Sequence, residues 1–219
     1  MFVSHNKELI NMKIAVIGVG NMGAGLARLL TGAGFDVIIG HRDPAKAAAF
    51  AAELGAGIEA GGVAAAVKLA DIVILALPYG AIAETLKEAG NLKGKVLVDV
   101  SNPATADFRG LVIGHSSSAA EEIQALAPEA TVVKAFNTIF APLLPAEGRN
   151  GKVLQVFIAG DDEKAKHAVS DLVKSIGFEP VNAGPLSNAR FIEPIGEMNI
   201  HFGFFLGKGP TVAPAWVQL

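Results

Sequence analysis

The chain contains no cysteine, which excludes disulfide bonds, thiolate catalysis and cysteine-based zinc or iron–sulfur sites. Charge is scarce as well: only 18% of the 219 residues are charged, and 18 Lys and Arg against 21 Asp and Glu leave a net charge of −3. This balance offers no basic field to a polyanion, so we expect no nucleic-acid partner. With 51% hydrophobic residues, the chain is nevertheless too apolar to be disordered.

Long hydrophobic runs are also missing. The longest charge-free stretch, residues 14–27, has 14 residues with four glycines, which is short of the roughly 18 apolar residues of a membrane-spanning helix. Residues 1–11 carry Lys7 and Glu8 and lack the apolar stretch of a secretory signal, so we interpret them as a loose leader. We expect a cytoplasmic protein that does not enter a membrane.

Short apolar runs alternate with helical patterns along the chain, which is typical of βαβ units and a parallel sheet buried on both faces. Asp43 before Pro44, and Ser118, are expected helix N-caps. The predicted strands are 13–18, 36–40, a weak one near 57–59, 71–77, 95–100, 131–136, 153–159 and 179–182. The predicted helices are 24–30, 45–54, 119–127, 161–176 and 188–206.

This order of elements predicts an α/β fold, a Rossmann-type, doubly wound and mostly parallel sheet with a small C-terminal α/β appendage. We expect a nucleotide-binding domain over 12–145 after the leader 1–11. A small C-terminal domain with an apolar tail should cover 146–219.

A glycine motif, G-x-G-x-x-G, closes the first predicted strand at residues 18–23 and opens a helix. The strand before it, the helix after it and a second strand within about 30 residues are the context that this motif requires. Gly18 permits the tight turn, Gly20 lets the backbone approach a pyrophosphate, and Gly23 allows close packing of helix on strand. The helix N-terminus adds free N–H groups for the phosphates. The alternative is a glycine-rich turn in a fold that binds no nucleotide.

The end of the second strand indicates which nucleotide is bound. A site for NAD carries Asp or Glu there to bind the ribose 2′-hydroxyl, whereas this chain has His41 and Arg42. Arg42 can bind a 2′-phosphate through its donor fork, and His41 can add a donor. Asp43 is interpreted as the helix cap. The alternative is a solvated loop arginine, but the pattern favours NADP.

Polar residues and prolines follow the later strands at the same edge of the sheet. Pro78 and Tyr79 follow one strand, Ser101 and Asn102 the next, and Asn137 a third. In a doubly wound sheet, ligands bind outside these carboxyl ends. Each residue could equally serve as a turn former.

Several segments resemble, in the same order, the NADP oxidoreductases that use the deazaflavin coenzyme F-420. Two of them, VVKAFNT and AGPLSNARFIE, are also similar to the cytoplasmic oxidoreductase domain of the STEAP metalloreductases. The resemblance covers about residues 12–193. The segments are GVGNMG (18–23), GHRDPAK (40–46), VDVSNP (98–103), VVKAFNT (132–138), AGDDEKAK (159–166) and AGPLSNARFIE (183–193).

The resemblance implies that NADPH binds to the Rossmann domain, with a flavin-like ring against the nicotinamide and the C-terminal domain enclosing it. Ser101, Asn137 and Ser187 would act as positioning donors near the reacting rings. Arg190 would pair with a cofactor phosphate or carboxylate, or brace the tail helix. The implied cofactor-binding residues are Gly18, Gly20, Asn21, Met22, Gly23, His41, Arg42, Pro78, Ser101, Asn137 and Arg190.

The identity of the electron acceptor stays open at this point. Hydride transfer between such rings needs little acid–base help, so the absence of a catalytic dyad is no objection. At Asn137 the chain follows the metalloreductase-like version of the motif, where the deazaflavin enzymes have His. The acceptor is therefore F-420, FAD or FMN, or another small redox molecule. We expect a homodimer, with the apolar tail around Phe202–Leu206 and Trp216 forming either a lid or the dimer surface.

Four other interpretations were considered. Glu193, Glu197 and His201 recur every four residues, as metal ligands on a helix do, but a solvated stripe gives the same spacing and we expect no metal. Residues 114–118, GHSSS, lack the G-x-S-x-G elbow of a serine hydrolase. A beta-hydroxyacid dehydrogenase would need a large helical domain with a catalytic lysine, and only 74 residues follow Pro145. The fourth alternative is a non-catalytic NADP sensor.

Overall fold

The computed structural model describes residues 12–219, so the predicted leader 1–11 lies outside the described residues. One sheet runs through this part of the chain in the order β3-β2-β1-β4-β5-β6-β7-β8. Every neighbouring pair is parallel except β6 and β7. The strands are β1 (Lys13–Ile17), β2 (Asp36–Gly40), β3 (Glu59–Gly61), β4 (Ile72–Leu75), β5 (Val96–Asp99), β6 (Thr131–Lys134), β7 (Gln155–Gly160) and β8 (Glu179–Asn182).

The helices cover both faces of this sheet, and three of them begin at an acidic or hydroxyl cap. Asp43 accepts a hydrogen bond from the Ala45 N–H, and Ser118 accepts one from the Glu121 N–H, so both predicted caps are confirmed. Asp162 caps a third helix in the same way. The helices are α1 (Asn21–Gly32), α2 (Pro44–Leu54), α3 (Val63–Leu69), α4 (Tyr79–Ala89), α5 (Ala119–Leu126), α6 (Glu163–Ser175) and α7 (Ala189–Ile200).

The central strands are apolar throughout because each residue meets a helix on one side or the other. Ile14 and Val16 of β1 pack in the layer of α1, α2 and α6, whereas Ala15 and Ile17 pack in the layer of α3, α4 and α5. This alternation follows from the period of two in a strand. The predicted α/β fold with a doubly wound, mostly parallel sheet is confirmed.

The C-terminal segment extends the same sheet. β7 runs antiparallel to β6, and α6 then crosses to β8, which pairs in parallel with β7. This βαβ unit is the predicted α/β appendage. Because the sheet continues across residue 145, the predicted division into two domains rests on the sequence pattern alone. No helix in residues 12–219 is both long and apolar enough to span a membrane.

The tail helix differs from its prediction at its end. The α-helix ends at Ile200, and a π-helical turn (His201–Phe205) follows in place of further α-helix. Gly203 lies in this turn so close to Phe140 that an added Cβ would sit 3.0 Å from its ring. The wider turn thus packs the chain against the residues that follow β6.

A buried ionic network joins the strands β5 and β6 to the helices α5 and α7. Lys134, at the end of β6, has no exposed surface, and its Nζ lies 2.7 Å from Asp99 Oδ2 and 2.8 Å from Glu193 Oε1. The ammonium also donates to the Ser101 carbonyl at 2.6 Å. Glu193, on α7, accepts in addition from the N–H groups of Ala119 and Ala120 at the start of α5. Burial raises the pKa of Glu193, and Lys134 and the Ala119 N–H oppose that shift.

We expect Lys134→Met to lower the free energy of unfolding by about 3 to 5 kcal/mol, because it leaves two buried carboxylates without their cation. Urea denaturation followed by circular dichroism measures this loss. Lys152→Met, at an exposed position, is the matched control and should change the free energy by less than about 0.5 kcal/mol. A loss below about 1 kcal/mol for Lys134→Met would contradict a stabilising role for the network.

Candidate dinucleotide and acceptor site

The glycine loop connects β1 to α1, and two of its glycines are required by the fold itself. Gly18 has φ 102°, and a Cβ there would lie 2.5 Å from the Ala76 carbonyl oxygen. A Cβ on Gly23 would lie 1.9 Å from the Gly18 carbonyl oxygen, so α1 packs directly on the turn. Both positions therefore exclude any larger side chain, with or without a ligand.

Gly20 has a different environment. An added Cβ there would meet no atom within 4 Å, so neither packing nor backbone conformation requires glycine. Gly20 is the N-cap of α1, and no side chain caps this helix. The N–H groups of the first turn, which begins with Asn21 and Met22, therefore lie at a helix end that favours an anion.

A cleft of about 980 Å³ extends from the glycine loop past the end of β2 to α4, which is room enough for a cofactor-sized molecule. It brings together five of the predicted site residues: Gly18, Gly20, His41, Arg42 and Pro78. Asn21 lines a separate groove together with Ala141 and Pro145. Val63 and Ala81 give the part of the cleft beside α4 an apolar wall.

The two residues predicted to distinguish NADP from NAD lie at the mouth of this cleft. His41 Nδ1 accepts a hydrogen bond from the Asp43 N–H at 2.9 Å, so the other ring nitrogen, Nε2, is the one that can donate to a ligand. Arg42 is exposed and pairs with no carboxylate of the described residues. The Asp43 carboxylate is occupied as the cap of α2, which leaves no acid for a ribose hydroxyl at this strand end.

At the ends of β5 and β6, two asparagines hold each other. Asn102 Nδ2 donates to the Asn137 carbonyl at 2.8 Å, and Asn137 Nδ2 donates to Asn102 Oδ1 at 2.8 Å and to the Ile192 carbonyl at 3.1 Å. Phe136, just before, has φ 62°, a costly conformation for a bulky residue. A strained residue and a paired neighbour thus fix the position of Asn137.

Buried polar atoms without a hydrogen-bond partner are concentrated at this edge. Well-packed proteins leave few such atoms, and each one requires an explanation. Two elsewhere in the described residues are Thr31 Oγ1 and Arg149 Nε. The others belong to the ends of β5 and β6 and to α7, namely Ser101 Oγ, Asn137 Oδ1, Thr138 Oγ1 and both carboxylate oxygens of Glu197.

Two predicted residues from the C-terminal segment lie at the start of α7. Ser187 lies in a 3₁₀ turn (Leu186–Asn188) just before this helix. Arg190 forms a bidentate pair with Glu121 of α5, with Nε and Nη2 at 2.9 and 2.6 Å from the carboxylate oxygens. The guanidinium therefore braces α7 against α5, and a contact of Arg190 with a cofactor stays a prediction.

Sequence reasoning missed Lys134, and it placed Tyr79 at this edge without assigning it a role. Lys134 lies inside the segment VVKAFNT (132–138), in which only Asn137 was predicted to have a role. The Tyr79 hydroxyl donates to the Glu122 carboxylate; burial and then this carboxylate raise the pKa of Tyr79 to about 12. The phenol thus stays protonated beside Pro78. The position of Tyr79 soon after the end of β4 was the sequence signal that could have indicated a role for it.

The stripe of Glu193, Glu197 and His201 does not assemble into a metal centre. Glu193 binds Lys134 and the start of α5, whereas Glu197 Oε1 lies 3.5 Å from His201 Nε2. Across residues 12–219, no three His, Asp or Glu side chains are placed to share a metal ion. The two glutamates lie one helical turn apart and therefore have different partners.

A doubly wound sheet with an open glycine loop, an uncapped helix N-terminus and a cofactor-sized cleft defines a dinucleotide-binding protein. The family model described as NADP oxidoreductase, coenzyme F420-dependent, matches residues 13–103. The "F420-dependent NADP reductase" of Methanothermobacter marburgensis is 35% identical over 209 residues, which cover 87% of this chain and 92% of that protein. The chain therefore belongs to the family of coenzyme F-420-dependent NADP oxidoreductases.

Two further relatives agree with this assignment. Rat "Metalloreductase STEAP3" is 37% identical over 183 residues, 84% of this chain but only 36% of that protein, so the chain spans about a third of the metalloreductase. A crystal structure of an Arthrobacter sp. FB24 protein, a candidate F420-dependent NADP reductase, has a TM-score of 0.82 at 32% identity. The match covers 91% of this chain and 97% of that one.

Gly20→Val should abolish NADPH binding while the protein stays folded. The position has open space in the protein, so a branched side chain obstructs only a ligand that approaches the backbone. Isothermal titration with NADPH and a thermal melt measure the two quantities. Gly23→Val is the contrasting variant and should fail to fold. Wild-type affinity in Gly20→Val would reject the glycine loop as the pyrophosphate site.

Arg42→Ala should weaken NADPH binding by about 1 to 3 kcal/mol, the scale of a hydrogen bond to a charged group. NADH binding should barely change, because NADH lacks the 2′-phosphate. Titration of both nucleotides measures the difference. Lys46→Ala removes a nearby exposed cation and controls for general electrostatics. An equal loss for NADPH and NADH would show that Arg42 does not bind the phosphate.

Proposed function

We propose that this protein transfers a hydride between NADP(H) and a small flavin-like acceptor, with a deazaflavin such as coenzyme F-420 as the first choice and FAD or FMN as the others. The observation that carries the proposal is the shared edge of the sheet. The cleft with His41 and Arg42 lies at the same carboxyl edge as Ser101 and Asn137, which are covered by α7. The relatives named as F420-dependent NADP reductases support this choice of acceptor.

The residues present fit NADP. Gly20 leaves space for a pyrophosphate beside the start of α1, and His41 Nε2 and the Arg42 guanidinium are donors for a 2′-phosphate. When bound, NADPH supplies the hydride. The protein's own residues then set distance and orientation and exclude water. Pro78, beside Leu77 in the cleft wall, would limit where the nicotinamide end can lie.

The role expected for Asn137 changes with the geometry. Both hydrogens of its amide already bind Asn102 and the Ile192 carbonyl, and its unpartnered atom is Oδ1. In this arrangement the free atom of Asn137 is an acceptor, which would suit the carboxamide N–H of a nicotinamide, and its positioning role stays a prediction. The Ser101 hydroxyl has no partner and can donate. Ser187 stays a predicted positioning donor, and Arg190 contributes by holding α7.

The other functions considered receive less support. A beta-hydroxyacid dehydrogenase would need a large helical domain, whereas residues 146–219 form β7, α6, β8 and α7. Its catalytic lysine would also have to be free, and the lysine at the sheet edge, Lys134, is bound by two carboxylates. A sensor would bind NADPH without turnover. NADPH oxidation screened against F-420, FAD, FMN, ferric chelates and quinones separates these functions.

A homodimer in the cytoplasm remains our prediction. Exposed apolar side chains are concentrated on α7 and the turn after it, where a second copy could cover them. Light scattering of the purified protein tests this prediction. These side chains are Phe191, Met198, Phe202, Phe204, Phe205 and Leu206.

Ser101→Ala gives the sharpest test of the acceptor site. Because the hydroxyl is buried and unpartnered, its removal should change the free energy of unfolding by less than about 0.5 kcal/mol. The rate with the acceptor should fall roughly 10- to 1,000-fold through lost positioning, while NADPH affinity stays almost intact. Stopped-flow oxidation of NADPH and titration measure the two effects.

Asn137→Leu and Ser187→Leu should lower the same rate, and Asn91→Leu, at an exposed position, serves as the control. A structure with bound NADPH in which Asn137 lies more than about 10 Å from the nicotinamide, well beyond hydrogen-bond reach, would reject this placement.

A further inference from the structure

Glu197 on α7 is a buried carboxylate without a hydrogen bond. The residue is 7% exposed, and neither of its carboxylate oxygens has a donor in the described structure. Its titratable neighbour on the same helix end is His201, whose Nε2 lies 3.5 Å from Oε1, at the outer limit of a hydrogen bond. Burying such a group costs free energy that only the contact with His201 offsets, and this is typical of groups used in function.

The position of Glu197 places it beside the edge where the reaction is proposed to occur. A Cβ on the preceding residue, Gly196, would lie 2.6 Å from Asn102 Oδ1, so the backbone of α7 rests against the asparagine pair. Asn199 Nδ2 donates to the Thr138 carbonyl at 3.1 Å. α7 is therefore pressed onto the ends of β5 and β6 on both sides of Glu197, where Ser101, Asn137 and Thr138 also have unpartnered atoms.

The groups that face Glu197 come from its own helix end and from the loop after β5. Burial and the charge of Asp107 raise the pKa of Glu197, and His201 lowers it, with an upward shift as the net result. Arg109, from the same loop, stacks its guanidinium on Phe205 at 4.6 Å, and that ring lies 4.8 Å from His201. Glu197 thus holds a proton to higher pH than an exposed glutamate does.

His201 connects this carboxyl group to solvent. Its side chain is 33% exposed, whereas that of Glu197 is 10% exposed. The imidazole therefore contacts both water and the enclosed carboxyl group. An imidazole exchanges protons readily near neutral pH, so it can return a proton that the buried acid has given up.

Reduction of a flavin-like acceptor requires such a proton. The hydride from NADPH adds two electrons and one proton to the acceptor, and the ring system must take up a further proton to become neutral. We infer that Glu197 donates this proton to a ring nitrogen of the acceptor and that His201 returns one to Glu197 from solvent. This inference rests on the proposed function.

The atoms and charges balance in this sequence. The C–H bond of NADPH breaks and its electron pair forms the new bond to the acceptor, leaving NADP⁺. The O–H bond of Glu197 breaks and its proton binds the acceptor nitrogen. The resulting carboxylate takes up one proton by way of the His201 ring, and that proton is the H⁺ supplied by solvent. In total, NADPH, the acceptor and one H⁺ give NADP⁺ and the reduced acceptor.

Glu197→Gln is the decisive variant, with coenzyme F-420 as the acceptor and FMN in a parallel series. The rate of acceptor reduction at pH 7 should fall about 100- to 10,000-fold, the usual contribution of a general acid, with NADPH affinity unchanged. The wild-type rate should fall as pH rises through the raised pKa of Glu197, since the acid form is required. The variant should lose this pH dependence and its solvent deuterium isotope effect.

Two controls separate proton donation from a structural role. Glu129→Gln makes the same chemical change at an exposed position and should leave rate and pH profile unchanged. His201→Gln should lower the rate, and added imidazole should restore part of it, which a purely structural role would not allow. The ¹³C carboxyl signal of Glu197, titrated without any acceptor, should report a raised pKa that rises further in His201→Gln.

The outcomes distinguish this inference from the proposed function. If the wild-type protein reduces an acceptor and Glu197→Gln keeps the same pH profile and isotope effect, the inference is overturned and the proposed function stands. If the wild-type protein reduces no acceptor, the proposed function fails. A Glu197 carboxyl group that titrates like an exposed glutamate overturns the inference on its own. This titration also decides the case if the variant does not fold.

Discussion

Lys134 carries the one interaction on which the arrangement of this site depends. Its ammonium binds Asp99 on β5 and Glu193 on α7, and Glu193 in turn holds the start of α5 through two N–H groups. Without this cation, two buried carboxylates would keep only their backbone N–H donors, which leaves their charge uncompensated. The network therefore fixes α7 over the ends of β5 and β6, and with it every C-terminal residue assigned to the acceptor side.

The glycine loop shows how fold and ligand binding share one motif. Gly18 and Gly23 are needed by the chain, because a Cβ on either would collide with backbone carbonyl oxygens. Gly20 is free of such contacts, so its small size has a reason only if something else approaches the backbone. A motif match alone does not make this distinction: packing explains Gly18 and Gly23, and Gly20 is the glycine that only the proposed pyrophosphate site would explain.

Local signals predicted much of the fold. The strands 36–40 and 179–182 were predicted with the observed bounds, and the caps Asp43 and Ser118 act as expected, because each depends on residues close in sequence. Interactions between residues that are distant in sequence could not be predicted from local patterns. Lys134 resembles a surface lysine until β5 and α7 are placed around it, and the pairing of Arg190 with Glu121 joins residues 69 positions apart.

The sequence also led us to expect that the chemistry would need little acid–base help. Two requirements of the proposed reaction have to be considered separately here, namely the geometry of hydride transfer and the balance of charge. In the proposed reaction, hydride transfer depends on distance and orientation, which the strained Phe136, the asparagine pair and the Lys134 network would set. Charge balance is a separate requirement of the proposed reaction, because the acceptor would gain a negative charge in an enclosed site where an anion is costly. A buried acid is suited to that task because it is neutral before it gives up its proton.

Glu197 and Glu193 are one helical turn apart, yet only Glu193 is bound by a lysine and by N–H groups. Glu193 thus stabilises the fold, whereas Glu197 has no such partners and is available for the proton transfer that we infer.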